Sequence, residues 1–189
     1  MGGFYNLYQS LNYILDNNLP GDIVECGCAL GGAAIFMGRI LRNRGARRTV
    51  FLFDTFEGPS MGTQDVLLGR PFVWNGGMPY HRAATEQNIV GTLGSLDGFQ
   101  LVEGLVEDTL KKTEFAEISL LRLDTDHYDS TIVELRELYP KLVRGGVLIV
   151  DDYGIYAGAR RATDEYLTTL KPRPLLNKVD MYIWSGVKP

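Results

Sequence analysis

Three acids and a histidine are concentrated in the stretch RLDTDHYDST, residues 122–131. They follow the apolar run ISLLRL, which predicts a buried strand over residues 118–123. A carboxylate at the end of a buried strand loses hydration, so its burial is costly unless a partner compensates it. The partner can be a protein cation, a metal ion, or water at a surface turn, and the choice depends on the other polar residues of the chain.

A second pair of acids, Asp151 and Asp152, follows another apolar run, VLIV. Two adjacent carboxylates repel each other, and a cation relieves both. Together with Asp124 they provide three hard oxygen ligands, which suit Mg²⁺ completed by water and substrate oxygens; Mn²⁺ accepts the same donors. In the alternative interpretation, Asp152 caps the following segment and Asp151 faces solvent. The sequence predicts a metal site at Asp124, Asp151 and Asp152, with Mg²⁺ as the metal.

Asp126 and His127 lie just beyond Asp124 and are the candidate catalytic bases. Either side chain can remove the proton from a hydroxyl group that a cation has polarised. A lone histidine beside a helix start is as often structural as catalytic, so Asp126 is the favoured base. Asp129 and Ser130 are expected to form the start of the next helix, as these residue types do at N-caps.

The stretch DIVECGCALGG predicts a strand followed by a glycine-rich turn over residues 27–32. Such a turn allows close approach of a ligand and places helix N-terminal amides beside it. The spacing matches G-x-G-x-x-G poorly, and the sequence contains no P-loop motif. The turn, with Gly27 and Gly31, suits the carboxylate of a methionine moiety, and Glu25 can accept from an ammonium group. Asp54, at the end of the strand TVFLFD, can accept from both hydroxyls of a ribose.

Alternating strands and helices position these residues. The predicted strands occupy residues 22–27, 49–54, 99–104, 118–124 and 147–152, followed by a hairpin of two strands at 174–179 and 181–188. The predicted helices occupy residues 4–17, the segment from the glycine-rich turn to about Gly45, and residues 82–96, 106–112, 129–146 and 158–170. This alternation implies a mostly parallel sheet that is covered by helices on both faces.

We therefore predict an α/β fold with a seven-stranded, mostly parallel sheet and a C-terminal antiparallel hairpin. This is the arrangement of the Rossmann-like class I methyltransferases. In open α/β sheets, ligands bind beyond the carboxyl ends of the strands. Four separate strands end in acid at that edge, namely in Glu25, Asp54, Asp124 and the pair Asp151 and Asp152.

Composition restricts the classes of function. The chain has 189 residues, 45% hydrophobic and 22% charged, with a formal charge of -4, which fits one domain over residues 1–189 and no nucleic-acid or membrane footprint. No signal peptide or spanning segment is recognisable, so a cytoplasmic location is expected.

Cys26 and Cys28 do not match a zinc site and are expected to be buried hydrophobic residues. Residues 60–82, irregular and rich in glycine and aromatics, are expected to form a lid or an acceptor-binding loop.

With these residues in view, the chain resembles the macrocin O-methyltransferase (TylF/MycF-like) family. The stretches that carry the resemblance are DIVECG, GGAAIFM, FDTFEGP, VEDTL, RLDTDHYDST, LYPKLVRGGVLIVDDYG and GARRATDEY, from about residue 22 to residue 166. The combination of LDTDHYDST with GGVLIVDDYG at this distance is its most specific part.

The resemblance implies methylation of a hydroxyl by S-adenosylmethionine with Mg²⁺, on a small molecule that is a sugar or a natural-product glycoside. A catechol-like diol is a second class of acceptor, and a homodimer is left open. The resemblance implies cofactor contacts at Glu25, Gly27, Gly31 and Asp54, with the adenine end near Glu107 and Asp108. It implies metal ligands at Asp124, Asp151 and Asp152, and a base at Asp126 or its neighbour His127.

Two other classes of protein share part of this pattern. An NAD-dependent Rossmann oxidoreductase also has the β-α-β unit and an acid equivalent to Asp54, but its glycine pattern differs and it has no use for Asp151 and Asp152. A non-catalytic S-adenosylmethionine-binding protein would keep the fold without turnover. The complete set of acids argues against the second alternative.

Overall fold

The computed structural model describes residues 2–58, 66–67, 70–71 and 81–189. Its helices are α1 (Gly2–Asp16), α2 (Gly32–Asn43), α3 (Arg82–Leu93), α4 (Val106–Thr109), α5 (Tyr128–Leu138) and α6 (Ala157–Thr168). Its strands are β1 (Asp22–Cys26), β2 (Val50–Asp54), β3 (Val66–Leu67), β4 (Arg70–Pro71), β5 (Phe99–Glu103), β6 (Ile118–Leu123), β7 (Leu142–Val150), β8 (Asn177–Lys178) and β9 (Trp184–Val187).

Seven of these strands form one sheet in the order β5-β2-β1-β6-β7-β9-β8. Strands β5, β2, β1, β6 and β7 are parallel, β9 runs antiparallel to β7, and β8 runs antiparallel to β9. β3 and β4 form a separate antiparallel pair. The predicted seven-stranded, mostly parallel sheet with a C-terminal antiparallel hairpin is confirmed.

Each central strand divides its side chains between two apolar layers, because successive residues of a strand point to opposite faces. Ile23 of β1 packs in one layer with residues of α1, α2 and α3, whereas Val24 packs in the other with residues of α4, α5 and α6. Ile149 and Leu148 of β7 divide in the same way. Helices therefore cover both faces, as predicted.

One predicted helix boundary is wrong. The pattern over residues 129–146 predicts a single helix, but α5 ends at Leu138 and a 3-10 turn over Tyr139–Lys141 leads directly into β7 at Leu142. Pro140 lacks a backbone N–H, so it cannot donate the next hydrogen bond of the α-helix, and the α-helix ends just before it. The apolar residues that follow continue the helical spacing by coincidence and belong to a nine-residue strand.

The predicted lid over residues 60–82 lies almost entirely outside the described residues, and it stays a prediction. Among the residues that the structure does describe, no helix is long and apolar enough to cross a membrane.

Candidate active site

A cavity of about 240 Å³ opens at the carboxyl ends of the parallel strands. Its wall includes Gly27, Asp54, Glu107, Asp124 and Asp126, which come from four different segments of the chain. The carboxyl ends of parallel strands meet at one edge of a sheet, so residues that are far apart in the sequence line one space. The position agrees with the edge at which the sequence predicts ligand binding.

The glycine-rich turn after β1 packs closely against the end of β6. Gly27 has φ of 81°, and a Cβ atom there would overlap the carbonyl oxygen of Asp124. Gly31, with φ of 83°, is the residue before the first turn of α2. Only glycine adopts such backbone angles without strain, so both glycines are needed to bring the turn against the cavity.

Asp54 holds this turn in place. Its Oδ2 atom accepts hydrogen bonds from the amides of Cys28 and Ala29, both at 2.8 Å, and its Oδ1 atom accepts from the amide of Phe56 at 2.8 Å. Ala29 and Phe56 both have positive φ, of 47° and 55°. The carboxylate thus stabilises two strained turns while it also lines the cavity.

Arg122 provides the protein cation that the acids at the strand ends require. Glu25 and Arg122 are paired in register on adjacent strands, and Arg122 Nη1 lies 2.6 Å from Glu25 Oε1. The same nitrogen lies 2.8 Å from Asp124 Oδ2, and Nη2 contacts the carboxylate of Asp151. One largely buried guanidinium therefore connects acids at the ends of β1, β6 and β7.

The remaining acids converge beside this network. Asp124, Asp126 and Asp152 each offer a carboxylate oxygen, and the three oxygens lie within 4.8 Å of one another. Asp152 is buried, and its Oδ2 atom accepts from the amide of Asp126 at 3.3 Å. Asp126 has φ of 67°, in the left-handed region that residues other than glycine rarely adopt.

The predicted metal ligands are divided between two environments. Asp124 and Asp152 belong to the three-acid cluster, which also includes Asp126, the predicted base. Asp151 instead faces Arg122. Its role as a metal ligand stays a prediction. His127, the other candidate base, is buried and precedes the first turn of α5, and it is not part of the cavity wall described above.

The predicted cofactor residues also divide. Gly27, Asp54 and Glu107 line the 240 Å³ cavity. Glu25 lines a second cavity of about 290 Å³, together with Arg122 and Asp124. Gly31 and Asp108 line neither cavity.

Burial and mutual repulsion shape the protonation of these acids. Burial raises the pKa of Glu25 to about 7, although Arg122 acts in the opposite direction. Burial also raises the pKa of Asp124, and it raises the pKa of Asp152 well above its ordinary range with a further contribution from Asp124 and Asp126. The acids at this edge thus outnumber the single cation Arg122, and a bound metal cation would relieve their mutual repulsion.

The donor set fits a hard divalent cation. Asp124 and Asp152 lie close together beside a cavity that admits substrate oxygens, which matches the preference of Mg²⁺ for one or two carboxylates and several exchangeable oxygens. Among the residues that the structure describes, no histidine or cysteine belongs to the cluster, which disfavours zinc.

Sequence reasoning assigned no role to three residues that the structure places at the site. Arg122 is a charged residue inside an apolar strand, and Glu134 is a charged residue at a buried position of α5. A charge at an expected core position was therefore the signal that could have identified both residues. Tyr156 gave no comparable signal. Burial, followed by the charges of the three clustered aspartates, raises the pKa of its hydroxyl, which places the phenol near them.

Comparison with known proteins identifies relatives of the chain. The family model described as "Macrocin-O-methyltransferase (TylF)" matches residues 3–185. Demethyldecarbamoylnovobiocin O-methyltransferase of Streptomyces niveus is 36% identical over 172 residues, which cover 85% of this chain and 63% of that protein. Mycinamicin III 3''-O-methyltransferase of Micromonospora griseorubida is 34% identical over 171 residues, covering 85% of this chain and 66% of that protein. The aligned part thus spans less than two thirds of these curated relatives.

The fold of the relatives is also the same. The structure of the O-methyltransferase NovP is 31% identical and superposes with a TM-score of 0.89, covering 99% of this chain and 79% of that chain. The calicheamicin methyltransferase CalS11, at 21% identity and a TM-score of 0.71, shares the fold over 98% of this chain and 78% of its own. Because the family model matches nearly the whole sequence, the chain belongs to the macrocin O-methyltransferase (TylF) family.

Proposed function

We propose that the protein transfers a methyl group from S-adenosylmethionine to a hydroxyl group of a small molecule. The observation that carries this proposal is the meeting of the glycine-rich turn at Gly27 with the acids Asp124 and Asp126 in one cavity, in a chain of this family. An electrophile held by the turn and a nucleophile held by the acids would then be neighbours. Holding two reactants in this way supplies much of the rate enhancement of a bimolecular transfer.

The proposed acceptor is a sugar hydroxyl on a natural-product glycoside. Among the relatives, one is a 3''-O-methyltransferase of mycinamicin III, and a second, from Streptomyces olivaceus, is a 4'-O-methyltransferase of a rhamnosyl-tetracenomycin. The acidic cluster suits acceptors whose neighbouring oxygens can reach a cation, which a sugar and a catechol-like diol share. A screen of glycosides against catechols separates these two classes.

The cofactor would lie across the glycine-rich turn. We assign its methionine end to Glu25 and to the turn with Gly27 and Gly31, its ribose to Asp54, and its adenine end to the segment with Glu107 and Asp108. Asp54 retains acceptor capacity after its bonds to three backbone amides, because each carboxylate oxygen has two lone pairs. When bound, S-adenosylmethionine supplies the electrophilic methyl group.

Asp124 and Asp152 would hold the divalent cation, and Asp151 would join them if its carboxylate left Arg122. When bound, Mg²⁺ lowers the pKa of a coordinated hydroxyl and orients it. Asp126 is the proposed base, because it lines the cavity and is adjacent to both acids in the cluster. It would take the hydroxyl proton as the oxygen forms its bond to the methyl carbon, and S-adenosylhomocysteine would leave with the electrons of the broken carbon–sulfur bond.

Titration calorimetry tests the proposal on purified protein. S-Adenosylmethionine and Mn²⁺ are titrated separately into the wild type, Asp152→Asn, Asp151→Asn and the control Asp129→Asn. Asp129 is exposed on the first turn of α5, outside the cluster. We expect cofactor binding in all four proteins and loss of cation binding in Asp152→Asn alone.

The other outcomes are equally informative. Loss of cation binding in Asp151→Asn would make Asp151 a ligand in solution. Cofactor binding without turnover on any screened hydroxyl compound would favour the non-catalytic alternative, and absence of cofactor binding would refute the proposed function. The homodimer and the cytoplasmic location stay predictions, and light scattering of the purified protein checks the first.

A further inference from the structure

Glu134 is a buried acid that the proposed reaction does not use. It lies on α5 with no exposed surface, on the same helix face as Thr131, Leu135 and Leu138, which are also buried. A carboxyl group in such a position costs free energy relative to an apolar residue of similar size. A carboxyl group at this buried position therefore calls for a contact that an apolar residue could not make.

The contact is with Thr125. The Thr125 hydroxyl donates to Glu134 Oε1 at 3.0 Å, across nine residues of sequence. Thr125 stands between Asp124 and Asp126 in the chain and forms part of the wall of the 240 Å³ cavity. Glu134 is thus connected to the wall of the cavity through the hydroxyl group of Thr125.

The turn that Thr125 occupies contains a strained residue and lies against the glycine-rich turn. Asp126 has a left-handed backbone angle that costs a non-glycine residue about 1 kcal/mol. Within the turn, the amide of His127 donates to the carbonyl of Thr125 at 2.7 Å. The methyl group of Thr125 lies 3.4 Å from the point where a Cβ of Gly27 would be, so a rotation of this side chain would disturb the glycine-rich turn.

The charge of Glu134 is compatible with a supporting role. Burial raises its pKa to about 8, with the nearby acids Glu107 and Asp124 acting in the same direction and Thr125 in the opposite one. Its surroundings therefore favour the neutral form of Glu134, which adds no negative charge beside the aspartate cluster. Glutamine, which offers the same acceptor oxygen without a charge, is a faithful replacement.

We propose that Glu134 is a positioning residue, which acts through the hydroxyl of Thr125 to fix the Asp124–Asp126 turn against the cofactor cavity. The inference rests on the proposed function, since the turn is assigned there to the cofactor and the cation. Glu134 itself touches neither.

Three variants and one control test the inference. Glu134→Leu removes the acceptor, Thr125→Val removes the donor with almost no change of shape, and Glu134→Gln restores the acceptor. Thr163→Val is the matched control, because it removes a buried threonine hydroxyl bond, at 2.7 Å to Ala159, within α6. For each protein we would measure hydrogen exchange at the amides of Asp126 and His127, the dissociation constants of S-adenosylhomocysteine and Mn²⁺, and the urea midpoint of unfolding.

Glu134→Leu and Thr125→Val are each expected to accelerate exchange in the turn and to weaken ligand binding by about two- to tenfold, the equivalent of one hydrogen bond. The double variant should be no worse than either single one in exchange and in ligand affinity, and Glu134→Gln should match the wild type in these two quantities. Thr163→Val should change the urea midpoint without changing the ligand affinities.

Unchanged exchange in Glu134→Leu and Thr125→Val would overturn the inference. Faster exchange with unchanged affinities would also overturn it, because the bond would then be purely structural. If the wild type binds no Mn²⁺, the cation site of the proposed function fails, and S-adenosylhomocysteine affinity still decides the role of Glu134. If it binds no S-adenosylhomocysteine either, the proposed function fails as a whole, and the exchange rates alone decide whether Glu134 holds the turn.

Discussion

Glu25 and Arg122 face each other across β1 and β6, with Arg122 Nη1 2.6 Å from Glu25 Oε1. Both side chains point to the face of the sheet that α1, α2 and α3 cover, because each is one residue away from neighbours that pack on the other face. Arg122 also contacts Asp124 and Asp151. This single cation thus connects acids at the ends of three strands beside the proposed site.

Replacing Arg122 by methionine would leave three buried or partly buried acids without their cation. Removal of one partner from a buried ion pair typically costs about 3–5 kcal/mol, and we expect a loss of this order in the free energy of unfolding of Arg122→Met. Urea denaturation followed by circular dichroism measures it.

Arg82→Met is the control, because Arg82 pairs with Glu86 at 2.8 Å on the exposed surface of α3. A change below about 1 kcal/mol is expected there. Equal effects in the two variants would show that the network around Arg122 contributes no more than a surface pair.

Asp126→Asn tests the proposed base. Asparagine tolerates the left-handed angle at this position, so the fold and the affinity for S-adenosylhomocysteine should be retained within a few-fold. The amide cannot accept the hydroxyl proton, and general-base catalysis contributes roughly 10²–10⁴-fold to a rate, so kcat should fall by that order. A methyl-transfer assay with a glycoside acceptor measures kcat.

His127→Gln, assayed in parallel, separates the two candidate bases. A large loss of kcat in His127→Gln with near-normal activity in Asp126→Asn would reverse the assignment. Asp129→Asn, on the exposed first turn of α5, should leave kcat unchanged.

Asp54→Ala should weaken cofactor binding while the protein remains folded. The side chain accepts from the amides of Cys28, Ala29 and Phe56, so its loss frees the first part of the glycine-rich turn and the turn after β2. We expect a loss of about 2 kcal/mol in stability, the scale of a hydrogen bond to a charged group, and an at least tenfold rise in the dissociation constant of S-adenosylhomocysteine.

Asp16→Ala is the control for Asp54→Ala, since Asp16 pairs with Arg44 at the exposed end of α1. It should change neither quantity appreciably. Unchanged cofactor affinity in Asp54→Ala would remove Asp54 from the binding site.

The sequence predicts the central strands well because parallel strands buried on both faces are short apolar runs, and VLIV and ISLLRL fit no other element of secondary structure. The same topology explains why the acids at the strand ends meet. The end of α5 could not be predicted by periodicity, because the apolar residues around Leu142 continue the helical spacing although they belong to β7. In this case Pro140 was the better signal.

The distribution of the acids over the site could not be predicted in the same way. Asp151 and Asp152 are adjacent, and adjacent side chains of an extended chain point to opposite sides, so the sequence does not tell which of them faces the cluster. That depends on Arg122, whose position relative to Glu25 and Asp151 is set by the register of three strands. The role of Glu134 likewise depends on a bond to Thr125 that only the packed structure defines.

The buried acid Glu134 should also give the protein a pH-dependent stability. Its pKa in the folded protein is about 8, against an ordinary value of 4.5, so between these values the folded state holds a proton that the unfolded state has released. The stabilising contribution of the neutral acid is fully present below about pH 4.5 and is lost as the pH rises through about 8. The slope reaches about 1.4 kcal/mol per pH unit for one such group.

Glu25, Asp124 and Asp152 have raised pKa values as well and act in the same direction, so the wild-type curve alone cannot isolate Glu134. The difference in unfolding free energy between the wild type and Glu134→Gln isolates the contribution of Glu134, because glutamine does not titrate. Urea unfolding from pH 5 to 8 in the presence of a chelator should show the wild type losing stability relative to Glu134→Gln. Glu134→Leu should share the flatter curve of Glu134→Gln although it lacks the bond to Thr125, which separates the titration from the hydrogen bond. Parallel curves for all three proteins would show that Glu134 is ionised in the folded state throughout this range, and the carboxylate would then need a cationic partner that the contact with Thr125 does not provide.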